Sequence, residues 1–287
     1  MNIGIIGLGL MGASLGKAIL KKTGHTVYGY DISEETLLKA GLVGAINYPL
    51  ADIGCDKLDL MLIAVNPRDF KSAFLAAAHY LKKDGTVADI CGNKSQIVAD
   101  MKALSAEFRE LVFIAMHPMA GREFSGVLHS TPTLFERSSA LIVPVTMDIA
   151  AMQTLKTLLT DIGFGEVLPT TERVHDEIIA YTSQLAHIVS SCYVQSPTAI
   201  RHDGFSAGSF RDLTRVARMN PRMWTELIAD NRDNVLAELD RFIADMSGFR
   251  DALRAGDETA LNSFFSEGNE KKTLIEKNTR ERRKSNS

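Results

Sequence analysis

The sequence predicts an α/β protein, with a parallel-sheet domain over residues 1–168 and an all-helical domain over residues 169–287. Three observations lead there. Short apolar runs rich in β-branched residues alternate with longer amphipathic stretches through the first half, the pattern of repeated strand–helix–strand units with right-handed crossovers. Those runs are nearly all apolar rather than alternating, as strands covered on both faces require. After about Leu168 the strand-like runs stop and only helical spacing remains. A chain of 287 residues has room for about two domains at roughly 150 residues each.

Taken in order, strands are expected at 3–6, 26–30, 60–65, 86–90, 112–116 and 140–145, with helices at 12–22, 33–40, 67–81, 95–108 and 148–162. Pro169-Thr170-Thr171-Glu172 then reads as a turn and helix start, with Thr170 or Thr171 as the N-cap. Helical apolar spacing continues over 172–195, 221–249 and 258–275. The segment from Arg173 carries more apolar positions than one packing face uses. It reads either as a dimer surface or as a helix buried in its own domain.

Composition limits the function. The chain is 45% hydrophobic and 23% charged, enough for a substantial core. A net charge of −3 carries no broad basic field, so nucleic acid is not an expected partner. Residues 270–287 hold seven basic against three acidic side chains, which reads as a solvated, fraying terminus. Cys55, Cys91 and Cys192 are scattered, fitting neither a disulfide framework nor a zinc site and pointing to a reducing cytoplasm. No metal site is expected. No stretch reaches the roughly 20 apolar residues of a membrane span, and no basic leader precedes the first strand.

The strongest local signal is Gly7-Leu8-Gly9-Leu10-Met11-Gly12, between the first strand and the first helix. That context turns a weak glycine pattern into a dinucleotide fingerprint: a tight turn, close backbone approach to a pyrophosphate, and a helix N-terminus aimed at it. Asp31 ends the second strand, where an acid accepts hydrogen bonds from the ribose hydroxyls and disfavours a 2′-phosphate. These residues, with Val65 and Asn66 at the end of the third strand, form the expected NAD site of a Rossmann-type domain.

Ligands of open parallel sheets bind at the carboxyl ends of strands. Cys91-Gly92-Asn93-Lys94 and His117-Pro118-Met119-Ala120-Gly121 follow the fourth and fifth strands. A neutral His117 there suits acceptance of a hydroxyl proton while hydride leaves the same carbon; capping the strand end is its structural alternative. In the helical half, Ser183, Gln184 and His187 share one helix face by spacing. Arg215, in Arg211-Asp212-Leu213-Thr214-Arg215, suits a carboxylate. Taken singly, each also reads as ordinary packing or a surface ion pair.

Together these segments resemble the prephenate/arogenate dehydrogenase family of tyrosine biosynthesis, over roughly residues 1–246. The resemblance rests on the glycine fingerprint with Tyr30-Asp31, on the His117–Gly121 block followed by Glu123 and Ser125-Gly126, on Ser183-Gln184-Leu185-Ala186-His187, and on Phe210 to Ala217 with Asn220-Pro221-Arg222-Met223-Trp224 beyond. It implies a Rossmann domain followed by a helical dimerisation domain, a homodimer, and NAD-linked oxidative decarboxylation of prephenate or arogenate. By the same resemblance His117 is catalytic, Arg215 binds the ring carboxylate, and His187, Gln184, Ser183 and Glu123 line the substrate pocket. Two departures stand out: Gly92 occupies the family's serine position after the fourth strand, and Gln184 and Ala186 replace a histidine and a proline. Two rival readings are a β-hydroxyacid dehydrogenase, which needs a lysine that 172–195 lacks, and a non-catalytic dinucleotide-binding regulator.

Overall fold

The computed structural model describes residues 1–285 apart from Asp56 and Glu123. Its strands are β1 (Asn2–Ile6), β2 (Thr26–Tyr30), β3 (Tyr48–Pro49), β4 (Leu58–Ile63), β5 (Leu81–Asp89), β6 (Val112–Pro118), β7 (Ser139–Pro144) and β8 (Glu166–Pro169). They form one sheet in the order β3-β2-β1-β4-β5-β6-β7-β8. Helices α1 (Leu10–Lys22), α2 (Glu34–Leu42), α3 (Phe70–Ala77), α4 (Ser95–Glu107) and α5 (Ile149–Asp161) connect them.

Alternate residues of the central strands point to opposite faces, and each face builds its own core. Ile3, Ile5, Leu60, Leu62, Ile114 and Met116 pack with Leu15 and Ile19 of α1 and Leu155 and Leu158 of α5. Ile6, Met61, Ile63, Phe113 and Ala115 pack with Phe70 and Phe74 of α3 and Ile97 and Met101 of α4. Each Ile, Leu, Met and Phe among them contributes about 1.5–3 kcal/mol by leaving water. This is the doubly covered sheet that the all-apolar runs imply.

The sheet is not wholly parallel. β7 runs antiparallel to β6, while every other pairing is parallel. A parallel return needs a crossover across the sheet; between β6 and β7 the described residues form only a short 3₁₀ turn, Val127–His129. Strands β3 and β8 lie at the two edges and were not expected. Two residues are too few to give a pattern, and Glu166-Val167-Leu168-Pro169 is only partly buried, so it lacks the apolar run of a central strand.

The helical half begins where Thr171 caps α6 (Glu172–Ile179), its hydroxyl accepting from the Val174 amide at 3.3 Å. The expected single helix over 172–195 is interrupted: six residues, Ala180–Leu185, form a π-turn before α7 (Ala186–Val194). Then come α8 (Gly208–Thr214), α9 (Pro221–Asp230), α10 (Arg232–Ala255) and α11 (Glu258–Ser285). The expected helix over 221–249 is two helices broken at Asn231, whose buried amide is used for contacts outside its own helix. The tail does not fray as expected within the described residues. α11 continues through it to Ser285, with ion pairs one turn apart such as Lys272–Glu276 at 3.3 Å supporting the helix.

By internal contacts the chain divides into two units, Met1–Asn234 and Val235–Ser287. The first holds the sheet and every residue of the site described below. Within the second, Phe249, Phe264 and Phe265 form an aromatic cluster with ring centroids 5.1–5.8 Å apart.

Candidate active site

The glycine fingerprint is built as a phosphate cradle. Gly7 has φ +91°, and a Cβ there would lie 2.6 Å from the Ala64 carbonyl oxygen; only glycine accepts both. A Cβ on Gly12 would fall 1.9 Å from the Gly7 carbonyl oxygen, so the helix packs directly on the turn. At Gly9 the Cβ position is open space, room for a ligand to reach the backbone. The N-terminus of α1 has no side-chain cap and no acid in its first turn, so its leading amides remain available to an anion. Asp31 accepts from the Leu8 amide at 2.8 Å and the Ser33 amide at 2.9 Å, which fixes its carboxylate beside Leu8. Val65 and Asn66 follow β4, the strand next to β1. These residues fit a dinucleotide: glycines and amides for the pyrophosphate, a carboxylate for the ribose.

His117 stands where β6 outruns its neighbour. The β5–β6 pairing ends at Ala88–Ile114, whereas β6 continues against β7 through His117–Leu141 and Pro118–Ala140. Two buried side chains replace the missing ladder. Asp89 accepts from the Met116 amide at 3.0 Å, and Lys94 donates to the Met116 carbonyl at 2.8 Å. Asp89 and Lys94 also pair with each other, both side chains having no exposed surface. A buried pair of this kind persists only with its remaining groups satisfied; here Asp89 further accepts from the Cys91 amide at 2.8 Å.

Behind His117 lies a chain of hydrogen bonds that the sequence reading missed. His117 Nδ1 meets His175 Nε2 at 2.8 Å, and His175 Nδ1 donates to Asp176 Oδ1 at 2.7 Å. Asp176 also accepts from the Lys94 and Ser95 amides, each at 2.8 Å, and from the Ser95 hydroxyl. Burial opposes the charge on Asp176, but the bonds from His175, Ser95 and the two amides outweigh it and hold its pKa below the ordinary value. Burial pushes the His117 pKa well down, and the Lys94 charge and His175 push it further, against the pull of Asp176. His117 is therefore a neutral imidazole at neutral pH.

The signal for His175 and Asp176 was present. His175, Asp176 and Ile179 form the buried face of α6, and polar residues on the buried face of an amphipathic helix are exceptions that call for partners. From sequence, α6 had no known neighbour to supply them.

The other expected site residues fall into two groups. Gln184 lies in the π-turn at 2% exposure. Its amide donates to Asn93 Oδ1 at 3.0 Å and the Leu227 carbonyl at 3.2 Å, and accepts from Asn231 at 2.7 Å. With all its groups engaged by the protein, Gln184 fastens the β5–α4 loop to the helix and does not face a pocket as expected. Gly92 lies in that loop, and a Cβ on it would sit 3.2 Å from Leu227 Cδ2, so a leucine methyl covers the place of the family serine.

His187, by contrast, keeps a polar atom uncommitted. Its Nδ1 donates to the Ser183 carbonyl at 2.8 Å, and its ring stacks on Trp224 with centroids 3.7 Å apart. Half-burial and the Arg215 charge lower its pKa, against the bond to Ser183. Arg215, exposed, opens the 3₁₀ turn Arg215–Ala217 after α8. Ser183 thus contributes its backbone rather than its hydroxyl to this contact. Glu123 lies outside the described residues.

Among those residues no cluster of three or more His, Cys, Asp or Glu side chains is arranged to hold a metal, and no helix is long and apolar enough to cross a membrane.

Comparisons with known proteins identify the family. Residues 15–167 match the family model described as "Prephenate dehydrogenase, nucleotide-binding domain", and 171–267 match "Prephenate dehydrogenase, dimerization domain". The cyclohexadienyl dehydrogenase of Zymomonas mobilis is 32% identical over 278 residues, covering 93% of each chain. The prephenate dehydrogenase of Bacillus subtilis is 30% identical, covering 91% of this chain and 72% of that one. Among solved structures, prephenate dehydrogenase from A. aeolicus in complex with hydroxyphenyl propionate and NAD+ superposes with a TM-score of 0.83 at 26% identity, covering 96% and 98% of the two chains. Two family models spanning both halves, and a relative 32% identical over nearly the whole chain, place this protein in the prephenate dehydrogenase family.

Proposed function

We propose that the protein carries out NAD-linked oxidative decarboxylation of prephenate to 4-hydroxyphenylpyruvate, or of arogenate to tyrosine. The observation that carries the reading is a neutral His117 at the end of β6, on the edge of the sheet that also presents the Gly7–Gly12 cradle. The relatives named above support the substrate class. Gly7, Leu8, Gly9, Leu10, Met11 and Gly12 hold the pyrophosphate, Asp31 the ribose, and Val65 and Asn66 the adjoining wall. Bound NAD⁺ serves as the acceptor of hydride from the ring carbon bearing the hydroxyl.

His117 Nε2 takes the hydroxyl proton as the hydride leaves. The ring then loses CO₂, its C–C electron pair moves through the ring to the oxygen, and aromatisation makes the step irreversible. His117 returns its proton to that oxygen, so none is consumed overall. Arg215 anchors the ring carboxylate and His187 the substrate side chain, while Gln184 and Asn93 hold the floor of the site. Glu123 is assigned to the pocket mouth by the family pattern alone. A boundary near 168, a homodimer through the helical half, and a cytoplasmic setting complete the proposal.

The test is to mix the purified protein with NAD⁺ and prephenate, then arogenate, and follow NADH absorbance. Turnover with one or both is expected; no signal with either would sink the proposal.

A further inference from the structure

His175 and Asp176 lie behind His117 at 2% and 1% exposure, out of reach of a ligand in the crevice. Burying an imidazole and a carboxylate together is costly unless both are paired. Here every lone pair and proton has a place. Asp176 Oδ1 accepts from the Lys94 amide and from His175 Nδ1; Oδ2 accepts from the Ser95 amide and hydroxyl. A carboxylate can only accept, so the proton of that bond sits on His175 Nδ1.

We infer that His175 is a positioning residue for His117, holding it as the Nδ1–H tautomer and sharing the positive charge that forms during proton transfer. The inference rests on His117 being the proton acceptor. With His175 Nδ1–H committed to Asp176, the ring's other nitrogen, Nε2, accepts from His117 Nδ1–H across the 2.8 Å contact. That leaves His117 Nε2 unprotonated, facing the crevice as the base.

When Nε2 takes the substrate's hydroxyl proton, the Nδ1 proton is drawn toward His175 Nε2 while Asp176 balances the charge. Returning the proton reverses each shift, so nothing is gained or lost. The charges around His117 oppose one another. Lys94, from the β5–α4 loop, disfavours its protonation although Asp89 pairs with that lysine. Asp176, from α6, favours it, while His175 itself disfavours it. The carboxylate at the end of the relay therefore opposes what burial, Lys94 and the His175 ring impose on His117.

Three variants and one spectrum test this. His175→Phe removes the relay and should lower kcat by about 10²-fold or more, the usual worth of assisted proton transfer, with KM little changed. His175→Gln keeps an acceptor for His117 Nδ1–H and a donor for Asp176 but takes up no charge, so its kcat should fall between the two. Asp176→Asn should move the acid limb of kcat/KM to lower pH, because the charge that favours protonated His117 is gone. In the unmodified protein, ¹⁵N-imidazole NMR should show protons on Nδ1 of both rings; it decides the matter should the Phe variant fail to fold, judged by circular dichroism and NAD⁺ binding. A proton on His117 Nε2, or a folded His175→Phe protein with unchanged kcat and acid limb, overturns the inference. His117→Asn run beside these separates the two claims: full activity there removes the base itself, whereas an inactive His117→Asn with a fully active His175→Phe removes only the relay.

Discussion

His117 shows how far a single side chain depends on its surroundings. Its strand-end position marked it in the sequence, but its protonation state comes from burial, Lys94 and His175, none adjacent in the chain. Since its pKa lies well below 6.5, kcat/KM should stay level as pH falls through 6.5 and decline only in more acidic solution. A pH–rate profile with its acid limb at or above 6.5 would contradict this. The same depression has a stability consequence. Below about pH 6.5 the unfolded chain binds a proton that folded His117 refuses, so this group's share of stability declines as pH falls through that value. His117→Asn should cut kcat severely with KM nearly unchanged, while Arg215→Ala should mainly raise KM; steady-state kinetics distinguishes them. Gln184 teaches the converse. Its spacing to His187 suggested a shared pocket face, but the π-turn and the bonds to Asn93 and Asn231 turn it into a strut.

At the scale of elements, α1 and α6 carry the site. Both were legible from local rules, a strand–glycine–helix order for one and a capped amphipathic start for the other. Replacing Gly12 by Ala puts a methyl where the Gly7 carbonyl oxygen lies, so the turn must move; NAD⁺ binding, measured by calorimetry, should be lost or strongly weakened while α6 is untouched. Thr171→Ala removes the cap from the helix bearing His175 and should lower stability by about 1 kcal/mol, read as a shift in the denaturation midpoint. An unchanged midpoint would mean that packing alone seats α6. The π-turn that follows has no comparable local sign, because nothing in Ala180–Leu185 forbids an ordinary helix. Tertiary bonds from Gln184 and from the neighbouring Asn231 hold it, as is common where helices widen at functional sites.

Across the whole molecule, the buried Lys94–Asp89 pair ties the end of β5 to β6, the strand that carries His117, beyond the last paired residues. Lys94→Met leaves Asp89 charged and unpaired, which should cost about 3–5 kcal/mol, and a chemical denaturation curve measures it. A loss under 1 kcal/mol would show that the pair is not structural. The sequence by itself determined the six longer strands and the five helices between them, the nucleotide cradle and the place of His117. Each depends on neighbours within a turn or two, where steric and hydrogen-bonding rules are local. Only the tertiary structure decided the reversal of β7, the break at Asn231 and the His117–His175–Asp176 chain. Those bonds join residues up to 58 positions apart, and no spacing rule reaches across a fold to say which buried polar groups will meet.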